Sequence, residues 1–300
     1  MADFRMVVLG DSVTWGQGLL TEEKFYSLVK RALTGTNGAQ GCTVLAHSGA
    51  TIGANVQTTE PRVDGEVPTS YPTIIQQCDA FTDAPDAVDF VLLNGGINDI
   101  DVRLLLNPIT DTKDLHDMIL LFCYRDMKLL LGKVVNRFTK PTAKIVVTSY
   151  FPVLSEQSLP PLVHAFLALY GVSSGMFFPH LAEQIVAKVV ANCTQFWNES
   201  NAVFQQAVNE VNAQAGGAPR VFFAQPPFTA ANSALAPNAW LWGVNFNLSP
   251  QDPVQAARHQ SCNAHEQDPI QREICYRASA GHPNLTGAQQ FANAILAVIQ

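Results

Sequence analysis

Gly10-Asp11-Ser12 directly follows the apolar run Met6-Val7-Val8-Leu9, which places the Ser12 hydroxyl just past the end of a buried strand. A serine hydroxyl is a weak nucleophile until a neighbouring base takes its proton, so Ser12 needs a histidine brought alongside by the fold. Of the seven histidines, His282 is the best placed. It lies in Ser279-Ala280-Gly281-His282-Pro283-Asn284, immediately before a C-terminal helical pattern, with Asn284 as the expected helix cap. On its own, Gly-His-Pro-Asn reads equally well as a turn and cap.

Two other groupings compete for attention. Gly171-Val172-Ser173-Ser174-Gly175 matches the Gly-x-Ser-x-Gly elbow, but an elbow must follow a strand and open a helix, and this one follows a helix-like stretch. His259, Cys262, His265 and Cys275 suit tetrahedral zinc by residue type, yet the paired Cys-x₂-Cys spacing is absent. A disulfide between Cys262 and Cys275, in a polar and loop-like stretch, is the simpler reading.

The elements that must position Ser12 and His282 follow from periodicity. Short apolar runs at 6–9, 44–46, 88–93, 144–149 and 220–223 read as five strands. Between and after them, 22–33, 115–138, 179–215 and 286–300 carry apolar residues three and four apart, as on one helix face. Such alternation predicts an α/β fold: three α/β/α layers around a mostly parallel five-stranded sheet with right-handed crossovers. Ligands of such sheets bind beyond the carboxyl ends of the strands, where Ser12 falls. The expectation is one domain over 1–300, with insertions at about 151–215 and 224–280. Leu162, Val163, Phe166, Leu167, Leu169, Met176, Phe177 and Phe178 of the first could form a lid or a satellite core. Trp240, Trp242 and Phe246 of the second could wall the crevice.

Composition narrows the partners. With 47% hydrophobic and 14% charged residues the chain has ample core-forming material, and a formal net charge of −7 gives no reason to approach nucleic acid. No run reaches the roughly 20 apolar residues of a membrane span. A strand beginning near residue 6 leaves no room for a secretory leader, so the chain is either cytoplasmic or has lost one. The six cysteines are too few for a disulfide-dense scaffold, and the Cys262 and Cys275 pair tilts the choice towards an extracellular origin.

The sequence resembles the GDSL/SGNH hydrolases, through four blocks in order: Gly10-Asp11-Ser12-Val13-Thr14-Trp15-Gly16, Gly49 in Ala46-His47-Ser48-Gly49-Ala50, Gly95-Gly96-Ile97-Asn98-Asp99, and His282-Pro283. The resemblance implies a flavodoxin-like SGNH fold and hydrolysis of carboxylic esters through an acyl-enzyme. It makes Ser12 the nucleophile and His282 the base, with Ser12 N–H, Gly49 N–H and the Asn98 amide as oxyanion donors. It implies no cofactor and no metal, and a small-molecule or lipid ester as the partner. The apolar first insertion favours acyl esters over sugar acetates. A carbohydrate acetyl esterase and an impaired ligand-binding module remain as alternatives.

One position departs from the family pattern. Three residues before the histidine, where the family usually carries aspartate, stands Ser279. A hydroxyl or backbone carbonyl can orient an imidazole but brings no charge. The expectation is therefore a Ser-His dyad, with Asp252 and Asp268 as candidate substitute acids.

Overall fold

The computed structural model describes residues 4–35, 41–56, 62–169, 179–243 and 252–300. Its centre is a sheet of five strands, β1 (Met6–Val8), β2 (Cys42–Val44), β3 (Phe90–Leu93), β4 (Lys144–Thr148) and β5 (Val221–Ala224). Their order is β2-β1-β3-β4-β5 and every pairing is parallel, with Met6 opposite both Cys42 and Phe90, and Val91 opposite Ile145. This is the flavodoxin-like order, whose ligand crevice opens between β1 and β3. All residues of β1 and β3 are buried, as continuous apolar runs must be when helices cover both faces.

The helices Phe25–Thr34 and Leu285–Ile299 pack together on one face, where Phe25 stacks on Phe291 at 5.0 Å between ring centres. The chain between 112 and 137 and the helix Pro179–Ala215 pack against each other on the opposite face. Sequence periodicity predicts a single helix over 115–138. The structure instead has Thr112–Met118, a π-helical stretch Ile119–Asp126, and Met127–Arg137. The π-helical stretch carries Cys123 beneath the turn after β3, where a side chain at Gly96 would meet its sulfur at 2.9 Å.

The second insertion is more ordered than its polar composition suggested. It contains the helices Gln255–His265 and Pro269–Tyr276, bridged by a disulfide between Cys262 and Cys275. The loop-like reading of this stretch is thus corrected, because the disulfide and a small cluster with Val67 supply the burial that its own composition lacks.

Candidate active site

Ser12 opens a one-turn helix, Ser12–Trp15, directly after β1. Asp11 caps this turn, its carboxylate accepting from Val13 N–H at 2.8 Å, which orders the loop that presents Ser12. Gly10 adopts φ +135°, and a Cβ there would lie 2.7 Å from Asn94 Oδ1, so no other residue fits the approach to Ser12. Tyr150, just after β4, donates its hydroxyl hydrogen to Asp11 Oδ2 at 2.7 Å and accepts from Ile97 N–H at 3.1 Å. Asp11 is fully buried, and burial raises its pKa, with the Tyr150 bond pulling the other way.

His282 arrives from the far end of the chain. Its backbone forms an antiparallel bridge region with Trp242, whose N–H donates to the His282 carbonyl at 2.7 Å while Gly281 N–H donates to the Trp242 carbonyl at 2.8 Å. Asn284 caps the helix Leu285–Ile299 as expected, accepting from Thr286 and Gly287 N–H. The result is a hydrogen-bond distance of 2.7 Å between His282 Nε2 and Ser12 Oγ. The other ring nitrogen, Nδ1, is buried with no hydrogen bond of acceptable geometry. Burial pushes the imidazole down to about 4; the carbonyls of Ser279 and Ala280 favour its charged form, and the Arg258 cation opposes it.

Neither candidate acid reaches the ring. Asp268 is exposed and caps the helix Pro269–Tyr276, accepting from Ile270 and Gln271 N–H. Asp252 is buried, but its carboxylate accepts from the Ser279 hydroxyl at 2.7 Å and from Arg258. Ser279 therefore spends its hydroxyl away from His282.

The remaining two blocks converge on the same edge of the sheet. Gly49 has φ +80°, and a side chain there would drive into Thr69 N at 2.6 Å, so both the conformation and the space require glycine. Asn98 donates one amide hydrogen to the Ala50 carbonyl at 3.0 Å, which ties its orientation to the Gly49 loop and leaves the second hydrogen for a ligand. Asp99 reinforces the tie by accepting from Ile52 N–H at 2.9 Å; burial pushes its carboxyl up to about 6. Ser12, Gly49, Asn98 and His282 all border one cavity of about 160 Å³, whose apolar wall includes Ile97, Val102, Phe151, Val153, Phe166 and Ile274.

Phe166 thus reaches the cavity, while Val163 and Leu167 are fully buried in the main core, so this part of the first insertion is core rather than a detached lid. Trp240 packs edge-on against Phe228 at 5.2 Å and Trp242 lies against Gly18; neither borders the cavity, which corrects the aromatic-wall expectation. Met176, Phe177, Phe178, Phe246, the Gly171–Gly175 motif and the Leu169 side chain lie outside the described residues. A larger apolar recess of about 430 Å³ between Ala168 and Ile270 shares Ile274 and Ala280 with the first cavity but touches neither Ser12 nor His282.

Sequence reasoning passed over Tyr150, Asp99, Glu66 and Arg258 as site-forming residues. Tyr150 carried a signal, since it sits at the carboxyl end of β4; Glu66 and Arg258 carried none.

A serine and a histidine within hydrogen-bond distance at the switch point of a parallel α/β/α sheet define an α/β serine hydrolase. The GDSL-like lipase/acylhydrolase family model matches residues 6–295, and the chain belongs to that family. It is a carboxylic ester hydrolase. The fold is similar to that of the extracellular lipase of Streptomyces rimosus, at 15% identity and a TM-score of 0.54, covering 98% of this chain and 99% of that one. An acetyl xylan esterase of Geobacillus stearothermophilus also matches, at 16% identity and a TM-score of 0.40, over 99% of this chain and 94% of that one. No curated protein matches the sequence significantly. Among the described residues no helix is long and apolar enough to cross a membrane.

Proposed function

We propose that the protein hydrolyses carboxylic esters bearing an apolar acyl chain, with Ser12 as nucleophile and His282 as general base. The observation that carries this reading is the 2.7 Å approach of His282 Nε2 to Ser12 Oγ at the mouth of a largely apolar cavity. Ser12 Oγ attacks the carbonyl carbon as Nε2 takes its proton. The oxyanion so formed is held by Ser12 N–H, Gly49 N–H and the free amide hydrogen of Asn98. Collapse breaks the bond to the alcohol, which leaves with the proton from His282. Water, giving its proton to the same nitrogen, then attacks the acyl-enzyme and releases the acid.

Among the described residues no carboxylate hydrogen-bonds Nδ1, so the base is a dyad member oriented by its loop. The reading treats 1–300 as one domain, since the first strand and the last helix both contribute to one site. The Cys262–Cys275 disulfide supports an oxidising, extracellular compartment. The sugar-acetate alternative loses its main support, because Trp240 and Trp242 stand away from the cavity.

Hydrolysis of nitrophenyl esters of increasing acyl length tests the proposal. Ser12→Ala and His282→Ala are expected to lose at least about 10³-fold in kcat, and Asn98→Ala about 10²–10³-fold with KM little changed, because its donor acts on charge that exists only in the transition state. A parent protein inactive at every acyl length, and unlabelled by a serine-directed organophosphate, would favour the binding-module reading instead.

A further inference from the structure

Behind His282, away from the cavity, lies a buried set of charges to which the acyl-transfer steps give no task. Its centre is Arg258, 1% exposed, on the helix Gln255–His265. The guanidinium makes a two-pronged pair with Asp252, Nη1 to Oδ1 at 3.1 Å and Nη2 to Oδ2 at 2.6 Å. Nη2 also donates to Ser279 Oγ at 3.2 Å, Nε to the Tyr276 carbonyl at 3.0 Å, and Nη1 lies 3.4 Å from Glu66 Oε2.

These partners belong to two separate turns. Tyr276 ends the helix Pro269–Tyr276, and Ser279 lies in the following turn that delivers His282, where His282 N–H donates to the Ser279 carbonyl at 2.9 Å. Glu66 accepts from Gln17 Nε2 at 2.6 Å and from Trp15 Nε1 at 3.2 Å. Gln17 follows the Ser12 turn and donates its backbone N–H to the Ser12 carbonyl at 3.0 Å. Lys24, stacked over Trp15, adds a second cation whose charge acts on Glu66. A single rigid fork therefore joins the turn that carries the nucleophile to the turn that carries the base.

We propose that Arg258, clamped by Asp252 and Glu66, is a positioning residue that holds His282 against Ser12, in place of the carboxylate that the family usually carries at position 279. The proposal rests on the reading of Ser12 and His282 as the reacting pair. A triad aspartate both orients the ring and stabilises its charged form. Arg258 supplies orientation alone, through the turn, because its own charge is a cation that disfavours the imidazolium. It follows that Ser279→Asp does not rebuild a triad: the new carboxylate would face Asp252 and compete for the same guanidinium.

The test compares the parent with Arg258→Lys, Ser279→Asp and the paired variant Asp252→Leu with Arg258→Met, using nitrophenyl acetate from about pH 3 to pH 9. The paired variant removes both charges together and leaves neither of the two isolated, so it is expected to keep its circular dichroism spectrum and fold. Its kcat is expected to fall about 10²-fold, the loss that follows misplacement of a reacting group by about 1 Å. KM should move less than about threefold, and the acid limb of kcat/KM should shift upward because the cation is gone. Arg258→Lys keeps the charge and loses the fork, so kcat falls while the acid limb stays. A folded paired variant with parental kcat and an unmoved acid limb would overturn the proposal, as would a Ser279→Asp protein faster than the parent. Should the paired variant fail to fold, Glu66→Gln and Ser279→Ala decide: a lowered kcat in both supports the fork, parental kcat in both refutes it, and a loss in only one refutes the joining of the two turns. Failure of the underlying Ser12 and His282 reading would appear differently, as an active Ser12→Ala protein.

Discussion

At the scale of single residues, the proposed site combines a closely placed histidine with an unusual electrical setting. His282, the proposed base, lies 2.7 Å from Ser12 Oγ, no acid among the described residues hydrogen-bonds its Nδ1, and burial holds its pKa down at about 4. An ordinary histidine would titrate near 6.5 and give an activity rise close to neutrality. Here the base is already deprotonated well below that, so kcat/KM is expected to rise with a midpoint near pH 4 and stay level through pH 7. A pH series on a chemically stable ester measures this, and a midpoint near 6.5 would contradict the burial argument. Position alone singled out Ser12, after a strand, and His282, before a helix; Gly49 and Asn98 came only through the family resemblance, and all four border one cavity. The sequence could not show Arg258 or Glu66, which are 192 residues apart in the chain, belong to no local pattern and meet only in the folded core.

At the scale of elements, the strands and the long helices were legible to within a few residues, since continuous apolar runs and 3.6-residue stripes are local signals. The helix Pro179–Ala215 matches the periodicity of 179–215 end to end. The π-helical stretch was not legible, because apolar residues three and four apart over 115–138 give the same signal as an unbroken α-helix. The second insertion was misjudged for a different reason: its helices are polar, and what holds them is covalent. Closing a loop with a sequence separation of 13 residues removes chain entropy worth about 3 kcal/mol. Cys262→Ala with Cys275→Ala is therefore expected to destabilise the region by about that much, with faster amide exchange concentrated in 252–281. As that region carries Arg258 and Ile274, kcat should fall in the same variant. Parental exchange there would show that packing, not the disulfide, secures the insertion.

At the scale of the whole molecule, the fold holds thiols that keep their protons to higher pH than the open chain would. The thiols of Cys78, Cys123 and Cys193 are fully buried and Cys42 is half-buried; burial raises all four, to about 11 for Cys42 and Cys78 and about 12 for Cys193. An unfolded chain releases these protons from about pH 9, whereas the folded chain keeps them until its own higher pKa values are reached. The folded state then binds more protons than the unfolded one, so stability is intact below pH 9 and is lost as pH rises through 11. Each group contributes about 1.4 kcal/mol per pH unit, and the three fully buried thiols together about 4. Lys24 acts in the opposite sense, since burial lowers it to about 8 and its deprotonation between 8 and 10.5 favours the folded chain, but it is one group against three. A protein with the usual 5–15 kcal/mol of stability should therefore exhaust it within a few pH units above 9. Urea unfolding at pH 8, 9 and 10 measures the slope, and Cys193→Ala should flatten it by about one proton's worth relative to its own value at pH 8. An unfolding free energy that holds level from pH 8 to 10 would mean that the thiols titrate as they do in the open chain, and that the core around them admits water.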